Sequence, residues 1–158
     1  MNYFELFEIP QAFAIDVVAI DKKYLELQRK FHPDRFIGKP ENERIEAAQK
    51  SADVNEGYRI LKDSLLRAQY LLKLNGIMVG CEAEDNEKAS SELLEEMMEL
   101  GERMQSSEAY KHEMEKTIST ISELFAKGDI KGAAQCYFRA KFLWRLMDNA
   151  KKGVSHAA

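Results

Sequence analysis

The 158-residue sequence is poor in the side chains that build reactive or metal-binding centres. Its 2 cysteines, Cys81 and Cys136, belong to no CxxC or Cys/His cluster, so neither a disulfide framework nor a zinc site is expected. It contains no GxSxG nucleophile motif and no GxxxxGK[ST] phosphate loop, and His112 is followed by Glu113 without a second histidine at zinc-binding spacing. We therefore expect no intrinsic enzyme activity, no metal and no cofactor.

Long hydrophobic runs and an excess of positive charge are also missing. No stretch approaches the roughly 20 apolar residues that span a bilayer, and the N-terminal segment 1–8 has no basic region before an apolar run. A cytoplasmic protein with no membrane partner is the expectation. The formal net charge of −4 argues against nucleic acid as a partner, and thus against a helix-turn-helix DNA-binding domain.

The first half of the sequence shows helical periodicity and predicts a helical hairpin preceded by a short helix. Asn2 and Glu5 form a capping-box pattern for a helix from about 3 to 9. Asp16 caps a second helix, which ends near Phe31 because Pro33 disfavours helix for the residue before it. Its apolar stripe consists of Val17, Ile20, Tyr24, Leu27 and Phe31.

The segment that follows is predicted to form the second long helix of the hairpin. Residues 35–39 are predicted to be loop, and one long helix is predicted from Pro40 to Asn75-Gly76, bent near Gly57 or Asp63. Its stripe should pack antiparallel on the second helix. That stripe contains Ile45, Ala48, Ala52, Val54, Tyr58, Leu61, Leu65, Ala68 and Leu72. The tripeptide His32-Pro33-Asp34 is then expected at an exposed tip.

The second half predicts a connection over 75–86, an antiparallel three-helix bundle over 87–150 and a tail over 151–158. The first bundle helix covers 87–105, Ser107 caps the second, Gly128 ends it, and Asp129 caps the third. The inward stripes are Leu93, Met97, Leu100 and Met104; Tyr110, Met114, Ile118, Ile121 and Phe125; and Ile130, Ala133, Tyr137, Ala140, Trp144 and Met147. The whole chain is therefore predicted to be all-α.

Apolar residues also occur off the inward stripes of the bundle. Leu94 and Met98 point away from the Leu93/Met97 line, and Phe138, Phe142 and Leu146 form a second row on the third helix. Exposed apolar rows with neighbouring carboxylates, here Glu95, Glu99 and Glu102, are typical of a protein-binding patch, and methionine suits one that adapts to its partner. The alternative is a wide core face, or burial of these rows against the first domain.

The first 74 residues resemble the J-domain of DnaJ-type co-chaperones. The resemblance rests on the helix pair, on residues 24–31 leading into His32-Pro33-Asp34, and on a third-helix signature formed by Asn55, Tyr58, Leu61, Asp63, Arg67 and Tyr70. It implies binding to a DnaK/HscA-class ATPase chaperone and stimulation of its ATP hydrolysis. The implied contacts are His32, Pro33, Asp34, Lys22, Lys23, Arg29, Lys30 and Arg35. Leu25 and Glu26 replace a basic pair common in J-domains, which favours a specialised chaperone.

The whole chain resembles the HscB family, the J-proteins of bacterial iron–sulfur cluster assembly. Residues 94–102 and 141–146 are similar to the two bundle segments that bind the scaffold protein in that family. The resemblance implies that an IscU-type scaffold is delivered to the chaperone. The implied scaffold contacts are Leu94, Met98, Glu99, Glu102 and Phe142, with Glu95 standing where the family often has an apolar residue. A J-domain adaptor for a different client is the alternative.

Overall fold

The computed structural model describes residues 1–80 and 85–157, with side chains described as far as Lys152. The described residues form seven α-helices and one 3-10 turn, which confirms the all-α prediction. The chain divides into two compact units, Met1–Arg67 and Ala68–Ala158. Cys81 and part of the predicted connection lie outside the described residues. The predicted domain limits of 1–74 and 87–150 stay predictions.

The first unit contains α1 (Tyr3–Leu6), α2 (Val17–Phe31) and α3 (Glu41–Lys62). The predicted caps are confirmed: Asn2 and Glu5 form a reciprocal capping box, and Asp16 accepts hydrogen bonds from two backbone N–H groups of α2. α1 ends earlier than predicted, since Glu8 has a left-handed backbone with φ 55°. The predicted loop after α2 instead begins with a 3-10 turn, Pro33–Phe36.

The core of the first unit forms where α3 packs against α1, α2 and the 3-10 turn. The predicted α2 stripe is partly confirmed, because Ile20 and Leu27 are buried, whereas Val17 is exposed. The first turns of the α3 stripe were predicted wrongly. Ile45, Ala48 and Ala52 are exposed, and the buried α3 residues are Ala47, Val54, Gly57 and Leu61. Packing rotates α3 about its axis, so that Ala47 instead of Ile45 faces the core near the start of the helix.

Gly57 was a predicted bend, but α3 runs through it without interruption. Its function is close packing, because a Cβ at this position would lie 2.9 Å from Cδ1 of Tyr3 and 3.1 Å from Cε2 of Phe7. Only hydrogen fits between the backbone of α3 and these two rings. The short helix α1 is thereby seated on α3, with the Phe7 side chain fully buried.

A network of mostly half-buried polar side chains joins α2 to α3. Tyr24 stacks on Tyr58 with ring centroids 3.9 Å apart, and the Tyr24 hydroxyl donates to Asn55 at 2.9 Å. Asp21 accepts hydrogen bonds from the Tyr58 hydroxyl at 2.8 Å and from Lys62 Nζ at 2.7 Å. Residues early in α2 contact residues late in α3, so the two helices are antiparallel as predicted.

The predicted long helix is broken at Asp63, one of its two predicted bends. Asp63 is extended (φ −95°, ψ 126°), and its side chain caps α4 (Ser64–Leu74) by accepting from the Leu66 N–H at 2.9 Å. Arg67 lies across the break, donating to the Leu61 carbonyl at 2.7 Å with its guanidinium 4.7 Å from the centre of the Phe13 ring. The Leu61 carbonyl at the end of α3 and a backbone N–H at the start of α4 are thus satisfied locally.

The second unit contains the end of α4 and three further helices, α5 (Ser91–Arg103), α6 (Ser107–Lys127) and α7 (Ile130–Ala157). Ser106, one residue before the predicted cap, accepts from the Ala109 N–H, while Gly128 ends α6 in a left-handed conformation as predicted. α7 continues through most of the predicted tail. No helix in the described part of the chain is long and apolar enough to cross a membrane.

The bundle core confirms most of the predicted stripes. Leu93, Met97 and Leu100 of α5 are buried, and so are Tyr110, Met114 and Ile121 of α6 and Ala133, Tyr137 and Ala140 of α7. One assignment was wrong, because Trp144 is exposed and Leu143 is buried in its place. Ile118 is half-buried, and its neighbour Thr117 is buried more deeply. Thr117 tolerates burial because its hydroxyl donates to the Glu113 carbonyl at 2.7 Å.

Replacing Gly57 with alanine should destabilise the first unit. Alanine favours a helix by about 1 kcal/mol over glycine, but displacing Tyr3 and Phe7 costs about 1–3 kcal/mol, so the net effect should be a loss. Hydrogen exchange of the α1 and α3 amides in the full chain measures it. Ala52→Gly, at an exposed position, gives the propensity effect alone. A Gly57→Ala protein with slower exchange than the wild type would contradict the packing argument.

The Asp21 network should make the first unit sensitive to acid. Hydrogen bonds from Lys62 and Tyr58 lower the pKa of Asp21. The hydrogen bond from Lys62 to Asp21 in turn raises the pKa of Lys62. Since the folded carboxyl has the lower pKa, its stabilisation is present above the unfolded value of about 4 and is lost as the pH falls through the folded pKa. At neutral pH the α2 amides should therefore exchange more slowly in the wild type than in Asp21→Asn. In acid the two proteins should exchange at the same rate.

Candidate functional site

The tripeptide His32-Pro33-Asp34 is exposed, as predicted, and its geometry is set by its own backbone. Pro33 leaves His32 extended (φ −60°, ψ 133°) directly after α2 and begins the 3-10 turn. The imidazole Nδ1 accepts the Asp34 N–H at 3.2 Å. An imidazole that accepts at Nδ1 carries its proton at Nε2. His32 thus presents a donor and Asp34 a carboxylate to the solvent.

The predicted cations around the tripeptide differ in how available they are. Lys22, Arg29 and Lys30 are exposed on α2, and Arg35 is exposed while donating to the Arg29 carbonyl at 3.3 Å. Lys23 is not available in the same way. Its ammonium forms ion pairs with Glu8 and with Glu26, and only 16% of its side chain is exposed. The pairing with Glu8 raises the pKa of Lys23 and lowers that of Glu8.

A hollow lies beside the tripeptide in the first unit. It is lined by Leu25, Gln28, Arg29, His32, Arg35 and Ser51. Two guanidinium groups and a histidine therefore surround one exposed leucine, with no carboxylate among the lining residues. Such a surface complements an anionic partner that also presents an apolar group.

A second surface lies on the second unit, in a groove of about 490 Å³ between α5, α7 and the segment before α5. It brings together the predicted Leu94, Met98 and Phe142, with Leu94 49% and Met98 67% exposed. The other residues that line it are Gly80, Asp85, Glu87, Lys88, Ala89, Met97, Tyr137, Phe138, Lys141 and Arg145. We call this surface the bundle groove.

Gly101 accounts for the position of Phe142 in the bundle groove. A Cβ at Gly101 would lie 3.3 Å from Cζ of Phe142 and 4.0 Å from Cδ1 of Leu146. The glycine allows the two α7 side chains to approach the α5 backbone, which half-buries Phe142 and Leu146. Glycine destabilises a helix by about 1 kcal/mol relative to alanine. At position 101 it also allows the Phe142 ring to lie beside Leu94 and Met98.

The charges near the bundle groove are arranged differently from the prediction. Glu95, Glu99 and Glu102 are exposed on α5 but do not line the groove. Lys141 and Arg145, which the sequence analysis did not select, do line it. Both lie within one helical turn of Phe142 in the sequence, and this spacing is the signal from which they could have been predicted. The groove is therefore lined by cations on α7 and by Asp85, Glu87 and Lys88 of the segment before α5, while the α5 carboxylates lie outside it.

The described residues contain no group of three or more His, Cys, Asp or Glu side chains that could hold a metal ion. Cys136 is a free cysteine, and burial raises the pKa of its thiol. A raised pKa disfavours the reactive thiolate.

Known proteins similar to this chain cover both of its units. A family model described as the DnaJ domain matches residues 2–70. The chain is 33% identical over 163 residues to a co-chaperone protein HscB homolog from Shewanella oneidensis, covering 94% of each protein. The chain belongs to the HscB co-chaperone family. This membership confirms the predicted family of the whole chain, while the scaffold contacts in residues 94–102 and 141–146 stay predictions.

Two further relatives show how far the similarity extends. An HscB homolog from Psychromonas ingrahamii is 48% identical over 82 residues, a match that covers 52% of this chain and 48% of the relative. The solved structure of chaperone HscB from Vibrio cholerae superposes with a TM-score of 0.80 at 29% identity and covers all of both chains. The match to the Psychromonas relative thus spans about half of that protein, while the HscB fold extends over the full chain.

Proposed function

We propose that the protein is an adaptor that stimulates the ATPase of a DnaK/HscA-class chaperone and delivers an IscU-type iron–sulfur scaffold to it, in the bacterial cytoplasm. The observation that carries the proposal is that each compact unit exposes a surface suited to binding a protein. The first carries the His32-Pro33-Asp34 tripeptide beside a cationic hollow. The second carries the bundle groove. Two surfaces on one chain suit a protein with two partners.

On the chaperone side, the proposed contacts are charged and rigid. Pro33 and the Nδ1 hydrogen bond hold His32 and Asp34 before any partner arrives, so little conformational entropy is lost on binding. Lys22, Arg29, Lys30 and Arg35 supply positive charge for an acidic chaperone surface. The protein does no chemistry on ATP in this proposal, because its contribution is to shift the chaperone towards its hydrolysing state.

On the scaffold side, the proposed contacts are mainly apolar. Leu94 and Met98 each leave about half or more of their surface exposed next to the Phe142 ring. Burying the exposed part of each side chain contributes roughly 1–2 kcal/mol, about half to two thirds of the value for full burial. Glu99 and Glu102, with Glu95, supply charges at the rim that affect the association rate more than the affinity. The scaffold therefore needs a matching apolar patch.

Replacing His32 with glutamine should abolish the stimulation of the chaperone ATPase. Histidine accepts the Asp34 N–H at Nδ1 and donates outward from Nε2 of the same rigid ring. The flexible side chain of glutamine does not hold an acceptor and a donor in that arrangement. Steady-state ATP hydrolysis by an HscA-class chaperone with this protein and scaffold gives the measurement. Scaffold binding by the same variant, followed by calorimetry, is the control and should be unchanged. Full stimulation by the His32→Gln protein would contradict the chaperone part of the proposal.

The triple variant Leu94→Ala/Met98→Ala/Phe142→Ala should bind the scaffold at least about 100-fold more weakly, because a few apolar anchors dominate such interfaces. Calorimetry with purified IscU-type scaffold measures the affinity. His112→Ala is the control, since His112 is exposed on α6 and does not line the bundle groove. Wild-type affinity in the triple variant would move the scaffold site elsewhere. Failure of the wild type to bind the scaffold would favour a different client.

A further inference from the structure

A row of exposed residues runs along α2 and ends at the tripeptide. Val18, Lys22, Leu25, Arg29 and His32 follow one another at alternating steps of four and three, which places them on one face of a helix. All five are exposed. Apolar and cationic side chains alternate along this row, which we call the α2 stripe.

The apolar members of the α2 stripe are not explained by the core of the first unit. The buried residues of α2 are Ile20 and Leu27, which face α3. Val18 is 61% exposed and Leu25 is 52% exposed. Leu25 also lines the hollow that contains His32, Arg29 and Arg35. An exposed leucine inside a cationic hollow is positioned to meet whatever binds the tripeptide.

The charges of α2 divide between the α2 stripe and its neighbouring face. Lys23 and Glu26 lie beside the stripe and pair with each other at 3.1 Å, and Lys23 also pairs with Glu8. By contrast, Lys22 and Arg29 form no side-chain ion pair with any residue that the structure describes. Lys30 likewise forms no ion pair with a described residue, but its ammonium lies 5.4 Å from the centre of the Phe31 ring. Of these cations, Lys22 and Arg29 are the two that alternate with Val18 and Leu25.

We propose that Leu25, supported by Val18, determines which ATPase chaperone the first unit accepts. The stripe fits a chaperone surface on which an apolar side chain lies between carboxylates, so that Leu25 is buried while Lys22 and Arg29 are paired. A chaperone with a wholly polar surface at that point gains the charge contacts but leaves Leu25 unmatched. The inference rests on the proposed function, because it assigns a selectivity residue to the same docking surface.

The test compares two chaperones, an HscA-class protein and a general DnaK-class protein, with full-length variants of the adaptor. Leu25→Lys should raise the concentration needed for half-maximal stimulation of the HscA-class ATPase about tenfold or more, since the leucine contact is lost. It should leave that concentration unchanged or lower it for the DnaK-class ATPase. Leu25→Met should behave like the wild type, because methionine keeps the apolar contact.

Ile45→Lys is the matched control, because Ile45 is 62% exposed on α3 and lies outside the α2 stripe. It should alter neither chaperone response. An equal change with both chaperones, or no change with either, in the Leu25→Lys protein would overturn the selectivity role. If His32→Gln still removes the stimulation in that case, the proposed function stands without this inference. A wild-type protein that stimulates neither chaperone overturns both.

Discussion

A helix that packs on its neighbours buries an apolar stripe about 100° wide, and this constraint decides what each unit exposes. In α2 the buried positions are Ile20 and Leu27, so the face that contains Leu25 and His32 is turned outward. In α5 the buried positions are Leu93 and Met97, so Leu94 and Met98 are turned outward. Both candidate binding surfaces follow from the rotation of a helix about its axis.

The ends of the helices decide where those outward faces stop. Pro33 cannot continue α2, so the chain turns there and the tripeptide stands at the end of the α2 stripe instead of within a longer helix. Asp63 has the corresponding role between α3 and α4, where its carboxylate and the Arg67 guanidinium satisfy backbone groups on either side of the break. Local hydrogen bonds therefore place each site more precisely than the hydrophobic pattern alone.

Two glycines show how close packing and function are related in different ways. Gly57 admits Tyr3 and Phe7 to the backbone of α3, which completes a core. Gly101 admits Phe142 to the backbone of α5, which completes a binding surface. The sequence gives both residues the same local preference against helix. Only the neighbours in space distinguish a glycine that supports the core from one that shapes the bundle groove.

The sequence by itself determined most of the helices and their caps, the exposed tripeptide and the outward direction of Leu94 and Met98, because periodicity and capping are local properties. It did not separate α3 from α4. Tertiary structure decided the burial of Ala47 instead of Ile45 and of Leu143 instead of Trp144, because helix rotation depends on the shape of the packing partner. It also decided that Lys23 is paired with Glu8 and that Lys141 and Arg145 line the bundle groove. These contacts join residues far apart in the chain or on different elements, and no local pattern records them.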